Sequence, residues 1–174
     1  MLECKWHIAL LTTGGTIEKS YDESDGSLAN RETFVGQIVR ESLRLPSTVI
    51  DVIPILSKDS LEMTNVDRDT IYKTILKEQS HRPVIILHGT DTMSITAEWV
   101  AKKIPHPQHP VIFTGAMRPM GFLQSDGLQN LTEALVLAKT LQPGCYISFH
   151  SQVFKAGQAK KNHHLGTFEQ TQHT

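Results

Sequence analysis

Residues 84–93, reading VIILHGTDTM, constrain the fold more than any other stretch of the chain. Val84, Ile85, Ile86 and Leu87 form a short unbroken apolar run, the pattern of a strand buried on both faces of a parallel sheet. The chain then turns polar at His88 and Gly89. From Thr96 to Lys103 the pattern is helical and predicts Ile95, Trp99 and Val100 on one face. Strand, short polar turn and helix make the half-unit of an open α/β fold, where ligands sit at the carboxyl ends of the strands. A turn carrying Thr90, Asp91 and Thr92 at such a place can donate, accept and carry charge, and it reads as a site.

The same unit recurs along the chain. Trp6 to Leu11 reads as the first strand and ends in Thr12-Thr13-Gly14-Gly15-Thr16-Ile17, where adjacent glycines permit a tight turn and close approach of a ligand. Residues 21–27 (YDESDGS) read as a mobile polar loop over a site. Asn30 is expected to cap a helix with Phe34, Ile38 and Leu45 as its stripe and Val35 beside them. Val49 to Ile55 is a second strand, followed by the polar turn Ser57 to Ser60, and Asp67 starts a helix with Ile71, Ile75 and Leu76 inward. Three prolines in residues 105–110 make a stiff connector. Val111 to Phe113 is the strand after it, ending in Thr114 to Pro119. Ser125-Asp126-Gly127 opens a helix through Leu131, Leu135, Leu137 and Ala138 that Pro143-Gly144 stops. Cys145 to Phe149 is a fifth strand, and the tail from Gln152 to Thr174 is polar and weakly patterned, with frayed last residues. This alternation predicts an open, mostly parallel sheet of about five strands with helices on both faces, a Rossmann-like or flavodoxin-like three-layer α/β fold. Residues 1–174 are read as a single domain.

Composition narrows the function classes. Apolar content of 39% and charged content of 20% suit an ordinary globular core, and a formal charge of −1 leaves no footprint for nucleic acid or anionic membrane. No apolar run approaches the ~20 residues of a membrane span, and Glu3, Lys5 and His7 make the N-terminus a poor signal peptide. Cys4 and Cys145 lie far apart without a CxxC spacing, which points to reduced thiols and the cytoplasm. His150, the pair His163-His164, His106 and His109 fit no metal-ligand spacing, so no metal and no other cofactor is expected.

Four strand ends deliver small or polar turns to one rim: Thr13 to Thr16, Ser57 to Ser60, His88 to Thr92, and Thr114 to Arg118. None has the spacing of a phosphate-binding loop, and no lysine follows the glycines until Lys19. The turns carry hydroxyls instead. A threonine hydroxyl is a poor nucleophile until a base takes its proton, so catalysis also needs a base and an orienting group. Asp91 and several lysines are available.

Thr13-Gly14-Gly15-Thr16-Ile17 together with His88-Gly89-Thr90-Asp91-Thr92-Met93 resembles the two signature motifs of bacterial-type L-asparaginases. Residues 115–119 (GAMRP) and Ser125-Asp126-Gly127 look like a third stretch of that family, and the resemblance runs from residue 8 to about residue 168. It implies hydrolysis of L-asparagine, and more weakly L-glutamine, to the acid and ammonia through an acyl-enzyme. Thr16 matches the nucleophile, with Tyr21 beside it on the loop. Thr90 matches the second catalytic threonine and Asp91 its orienting carboxylate, which also touches the substrate amino group. A gap-free register from Gly144 puts the family's lysine at Lys161, with Lys160 adjacent. Ser60, or Ser57 in a shifted register, resembles the serine that holds the substrate carboxylate. The family also implies a homo-oligomer, dimer or tetramer.

The lysine's role follows from its chemistry. A lysine base must be neutral against an ordinary pKa of about 10.4, and lowering that by about three units costs roughly 4 kcal/mol. Asp91 works against that, so the lysine is read as tuning Thr90 through a hydrogen-bonded chain. Backbone N–H groups at Gly14, Gly15 and Gly89 are expected to face the oxyanion.

The chain departs from the family pattern at Glu18, Pro83 and Leu61. Most family members also carry a second, smaller C-terminal domain that reaches into a neighbouring subunit's site, and this chain ends before it. It is either a naturally short form or a fragment; a short form implies looser substrate binding, more dependence on Asp91 and a different subunit interface.

Plainer roles exist for each residue. Threonines after strands commonly cap helices; the motif match reverses that for Thr16 and Thr90 and leaves Thr92 a cap. Arg118 pins its loop, His88 is a structural hydrogen-bonder, and Trp99 and the leucines of residues 128–141 are core, with Met117 and Met120 as packing. The alternatives to an asparaginase are a glutaminase or ammonia-supplying amidotransferase component, an inactive amino-acid-binding module, and a nucleotide-binding module.

Overall fold

A computed structural model describes residues 5–30 and 34–171. In chain order the elements are β1 (Trp6–Gly14), β2 (Lys19–Asp22), β3 (Ser27–Asn30), α1 (Val35–Ser42), β4 (Thr48–Lys58), α2 (Asn65–Glu78), β5 (Val84–Leu87), α3 (Met93–Lys103), β6 (Val111–Thr114), α4 (Gly127–Thr140), β7 (Cys145–Phe149), β8 (Gln152–Lys155), β9 (Ala159–Asn162) and β10 (Thr167–Gln170). Six strands form one sheet in the order β4-β1-β5-β6-β7-β8. The first five run parallel and β8 is antiparallel to β7.

The apolar runs are continuous because helices cover both faces. Ala9, Leu11, Ile86 and Phe113 point to the face packed by Ile71 and Ile75 of α2 and by Ala97 and Val100 of α3. Ile8, Leu10, Ile85 and Ile112 point to the other face, packed by Val35 and Val39 of α1 and by Leu131, Ala134 and Leu135 of α4. Period-2 alternation within each strand feeds the two layers, so neither face can be polar. This is the three-layer α/β sheet expected from the sequence. Pro54 is tolerated inside β4 because that strand lies at the sheet edge, where a missing N–H breaks no inner ladder. No helix among the described residues is long and apolar enough to cross a membrane.

Several local expectations are corrected. Asn30 ends β3 and caps nothing; α1 begins at Val35, behind Phe34. The second helix starts at Asn65, capped by Thr64, and Asp67 closes the capping box by accepting the Thr64 N–H at 2.8 Å. Ile95 is exposed and does not share the buried face of α3 with Val100. The YDESDGS segment is the β2–β3 hairpin, with Tyr21 paired to Leu28. The tail supplies three strands: β8 as a sixth strand of the main sheet, and the separate hairpin β9–β10. Cys4 and the expected fraying at residues 172–174 lie outside the described residues.

Candidate active site

The turns at the carboxyl ends of β1, β4 and β5 nest against one another. Gly15 takes φ 79°, a left-handed conformation suited to glycine, and it precedes a single 3₁₀ turn, Thr16–Glu18. A Cβ on Gly15 would overlap the Gly89 backbone, and one on Gly89 would sit 2.6 Å from Cβ and Oγ of Ser60. The residues before Thr16 and before Thr90 therefore touch, with Ser60 packed below. Three of the four expected turns thus converge on one spot.

Lys161 completes the cluster from the far end of the chain. Its Nζ donates to Thr90 Oγ1 at 2.7 Å and to Asp91 Oδ1 at 2.8 Å, and its side chain is 15% exposed. Lys160, one residue earlier on β9, points outward and pairs with Glu169. Strand alternation separates the two lysines. An ammonium only donates, so Thr90 Oγ1 accepts from it and keeps its own hydrogen free to donate elsewhere. That arrangement suits a hydroxyl that passes a proton rather than one locked in a cap.

Ser60 is buried and its Oγ has no hydrogen-bond partner among the described residues, whereas Ser57 is exposed. The Ser60 carbonyl accepts the hydroxyl of Thr92 at 2.8 Å. Thr92 occupies the residue before α3, but its side chain caps nothing and instead ties the Ser60 turn to the β5 turn. Beside them Asp59 accepts Lys19 Nζ at 2.8 Å and the Leu61 N–H at 3.1 Å. The Lys19 hydrogen bond, then that of Leu61, holds the Asp59 carboxyl below its ordinary pKa, with Lys161 adding its charge. Asp59 and Lys19 were missed as site residues; the polar turn at 57–60 was the available signal for Asp59, and for Thr92 the expected cap role is replaced by this tie between turns.

Not every expected partner is brought together. Among the described residues no hydrogen bond joins Thr16 to Tyr21, Thr90 or Lys161. Tyr21 is 62% exposed and lines an open groove of about 710 Å³ with Arg118, Pro119, Phe122, Leu123 and Gln124. The expectation that Gly14 and Gly15 present free N–H groups to an oxyanion is overturned. Gly14 N donates to Glu18 Oε2 at 2.7 Å, and Gly15 N donates to the Lys58 carbonyl at 2.9 Å. Glu18, one of the departures from the family pattern, is 3% exposed and so anchors the Thr16 turn from within.

His88 is fully buried, with Nδ1 2.8 Å from the Gly89 carbonyl. Burial pushes its pKa down to about 4, so it is neutral near pH 7 and acts as a structural donor. Arg118 holds its own loop, donating to Gln124 Oε1 at 2.7 Å. Burial also pushes the free Cys145 thiol up to about 12, which keeps it an inert core group. Among the described residues no three His, Cys, Asp or Glu side chains cluster as metal ligands.

The family model "Asparaginase, N-terminal" matches residues 7–174. The L-asparaginase of Thermococcus kodakarensis is 30% identical over 160 residues, covering 91% of this chain and 48% of that protein. The solved structure of the thermostable L-asparaginase from that organism superposes with a TM-score of 0.85 at 28% identity, covering 97% of this chain and 52% of that one. One subunit of the glutamyl-tRNA(Gln) amidotransferase of Thermoplasma acidophilum is 31% identical over 148 residues, covering 83% of this chain and 35% of that subunit. The chain spans about half the length of the asparaginases it matches.

Proposed function

The chain belongs to the asparaginase family, matched by its N-terminal model over residues 7–174, and from that premise we propose that it hydrolyses the side-chain amide of L-asparagine to L-aspartate and ammonia. The observation that carries the reading is Lys161 Nζ, held 2.7 Å from Thr90 Oγ1 and 2.8 Å from Asp91 Oδ1, on a turn in contact with that of Thr16.

In this reading Thr16 Oγ1 bonds to the amide carbon, the C–N bond breaks, and the hydroxyl proton leaves with the nitrogen as ammonia. Thr90 carries that proton, because Lys161 donates to its oxygen and leaves its hydrogen free. Water then adds to the ester carbon, the bond to Thr16 breaks and the hydroxyl is restored. Asp91, part-exposed beside Lys161, faces the substrate ammonium, and Ser60 Oγ, without a partner among the described residues, donates to the substrate carboxylate. Tyr21 joins Thr16 when the β2–β3 hairpin closes on bound substrate; its exposed position at the groove supports that order of events. Crystals grown with and without aspartate test the closure, and an unmoved hairpin would sink it.

The nearness of Lys161 to Thr90 also allows a second reading, in which Thr90 is the nucleophile and Lys161, once it has given up a proton, takes that of the Thr90 hydroxyl. Both are tested by ammonia release from L-asparagine and L-glutamine for wild type, Thr16→Ala and Thr90→Ala, with mass spectrometry of the acid-quenched acyl-enzyme. The proposal expects turnover of asparagine, a loss of at least about 10³-fold in Thr16→Ala, and the adduct on the peptide containing Thr16. An adduct on Thr90 selects the second reading. Near-wild-type turnover in a folded Thr16→Ala protein rules out Thr16.

A further inference from the structure

Lys161 sits on a hairpin that, among the described residues, no strand pairing joins to the main sheet. Two buried side chains, Ala159 and Phe168, hold the hairpin by packing; Phe168 is the cross-strand partner of Lys161 and lies 5.0 Å, ring to ring, from Phe149. Apart from Lys161 itself, Thr167 is the residue of these two strands that hydrogen-bonds to the rest of the described protein. Its Oγ1 lies 3.0 Å from His150 Nδ1. His150 Nε2 lies 2.9 Å from Asp126 Oδ2. The carboxylate accepts, so Nε2 carries a hydrogen toward Asp126 and Nδ1 is the ring nitrogen that pairs with the Thr167 hydroxyl.

Asp126 is itself fixed. It accepts the N–H groups of Met117 and Arg118 at 3.0 Å and the side-chain amide of Asn130 at 3.0 Å, and Asn130 in turn accepts the His150 N–H at 3.1 Å. Burial opposes ionisation of Asp126, but Met117, Arg118 and His150 outweigh it and hold the carboxyl below its ordinary pKa. His150 stands at φ 47° in a two-residue turn whose other member, Ser151, is held by both oxygens of Glu133. The imidazole is therefore clamped through Nε2, backbone and neighbour, while Nδ1 faces Thr167 of the hairpin.

We infer that the chain Asp126–His150–Thr167 is a latch that seats the β9–β10 hairpin and so sets the position of Lys161 against Thr90 and Asp91. His150 is a positioning residue in this scheme; it touches neither substrate nor the reacting atoms. The catalytic consequence rests on the proposed role of Lys161, whereas the seating of the hairpin does not.

The experiment compares amide hydrogen exchange of the 159–170 peptide, kcat and KM for wild type, the near-isosteric Thr167→Val, and Thr167→Ser, which keeps the hydroxyl. In Thr167→Val the hairpin amides exchange roughly fivefold faster while β5 and β6 stay at wild-type rates. The same variant loses several-fold in kcat with a smaller change in KM, and Thr167→Ser restores both readouts. Unchanged hairpin exchange in Thr167→Val overturns the latch, since Phe168 and Ala159 would then hold the hairpin alone. Thr167→Ser behaving like Thr167→Val overturns it too, and faster exchange with kcat unchanged overturns the link from the latch to the position of Lys161. A wild-type protein without turnover refutes the amide-hydrolysis reading instead, and the exchange rates still decide whether the hairpin is latched.

Discussion

Lys160 and Lys161 show how much one residue of register decides. Both are long cations on a four-residue strand, yet one is 58% exposed against Glu169 and the other is enclosed by Thr90 and Asp91. Lys161→Met keeps the length of the stem and removes the donor. It is expected to cut kcat for asparagine about 10²-fold, the scale of a lost proton-transfer partner. Lys160→Met removes a surface ion pair of small value and stays within about twofold of wild type. Steady-state ammonia release decides both; equal losses in the two variants would mean that Lys161 acts only as part of the strand. Glu18 makes a related point. It departs from the family pattern at the motif edge, and its carboxylate accepts the Gly14 N–H and holds the turn.

At the scale of elements, the site depends on turns that pack backbone to backbone. Gly89 lies between Gly15 and Ser60, and a methyl group there has no space. Gly89→Ala is expected to lower unfolding stability by about 1–3 kcal/mol, as overpacking does. It is also expected to raise KM for asparagine more than it lowers kcat, because the methyl displaces Ser60 on the substrate side. Urea unfolding and steady-state kinetics on the same preparation check this; a variant with wild-type stability and KM would show that the turns have room to part. The glycines of both turns were visible as punctuation in the sequence. Their mutual contact was not, because it joins segments more than 70 residues apart.

Across the whole molecule, acid stability should fall in two steps. His88 is buried neutral, with a pKa of about 4 against an ordinary value near 6.5. The unfolded chain binds that proton first, so His88 contributes stability above pH 6.5 that is lost as pH falls to 4, on the order of 3 kcal/mol. Asp67 follows. The Lys58 ammonium and the Thr64 N–H hold its carboxyl at about 2, so its contribution is present above about pH 4 and is lost between pH 4 and 2. Urea titrations across this range should show the first step flattened in His88→Asn and the second flattened in Asp67→Asn. An unaltered slope between pH 6.5 and 4 in His88→Asn would assign the first step to other groups.

The local chemistry of the chain by itself determined the parallel core. Short apolar runs place β1, β5, β6 and β7 without reference to anything distant, and the small or polar turns and helix-period stretches after β5 and β6 reinforce the two central ones. It also placed Thr16, Thr90 and Asp91 at the rim, since their motifs are contiguous with those strands. Tertiary structure decided the rest, for reasons of locality. The β7–β8 turn uses His150 and Ser151 at positive φ, where the usual hairpin signal is Asn-Gly, so β8 gave no local sign of itself. Strands β9 and β10 carry lysine, asparagine and glutamine, residues that seldom announce a strand, and one face of the pair is stabilised by Phe168 against Phe149. Lys161 belongs to that hairpin. Its distance to Thr90 depends on the pairing of four residues and on the contacts that seat them, which no periodicity in the chain encodes.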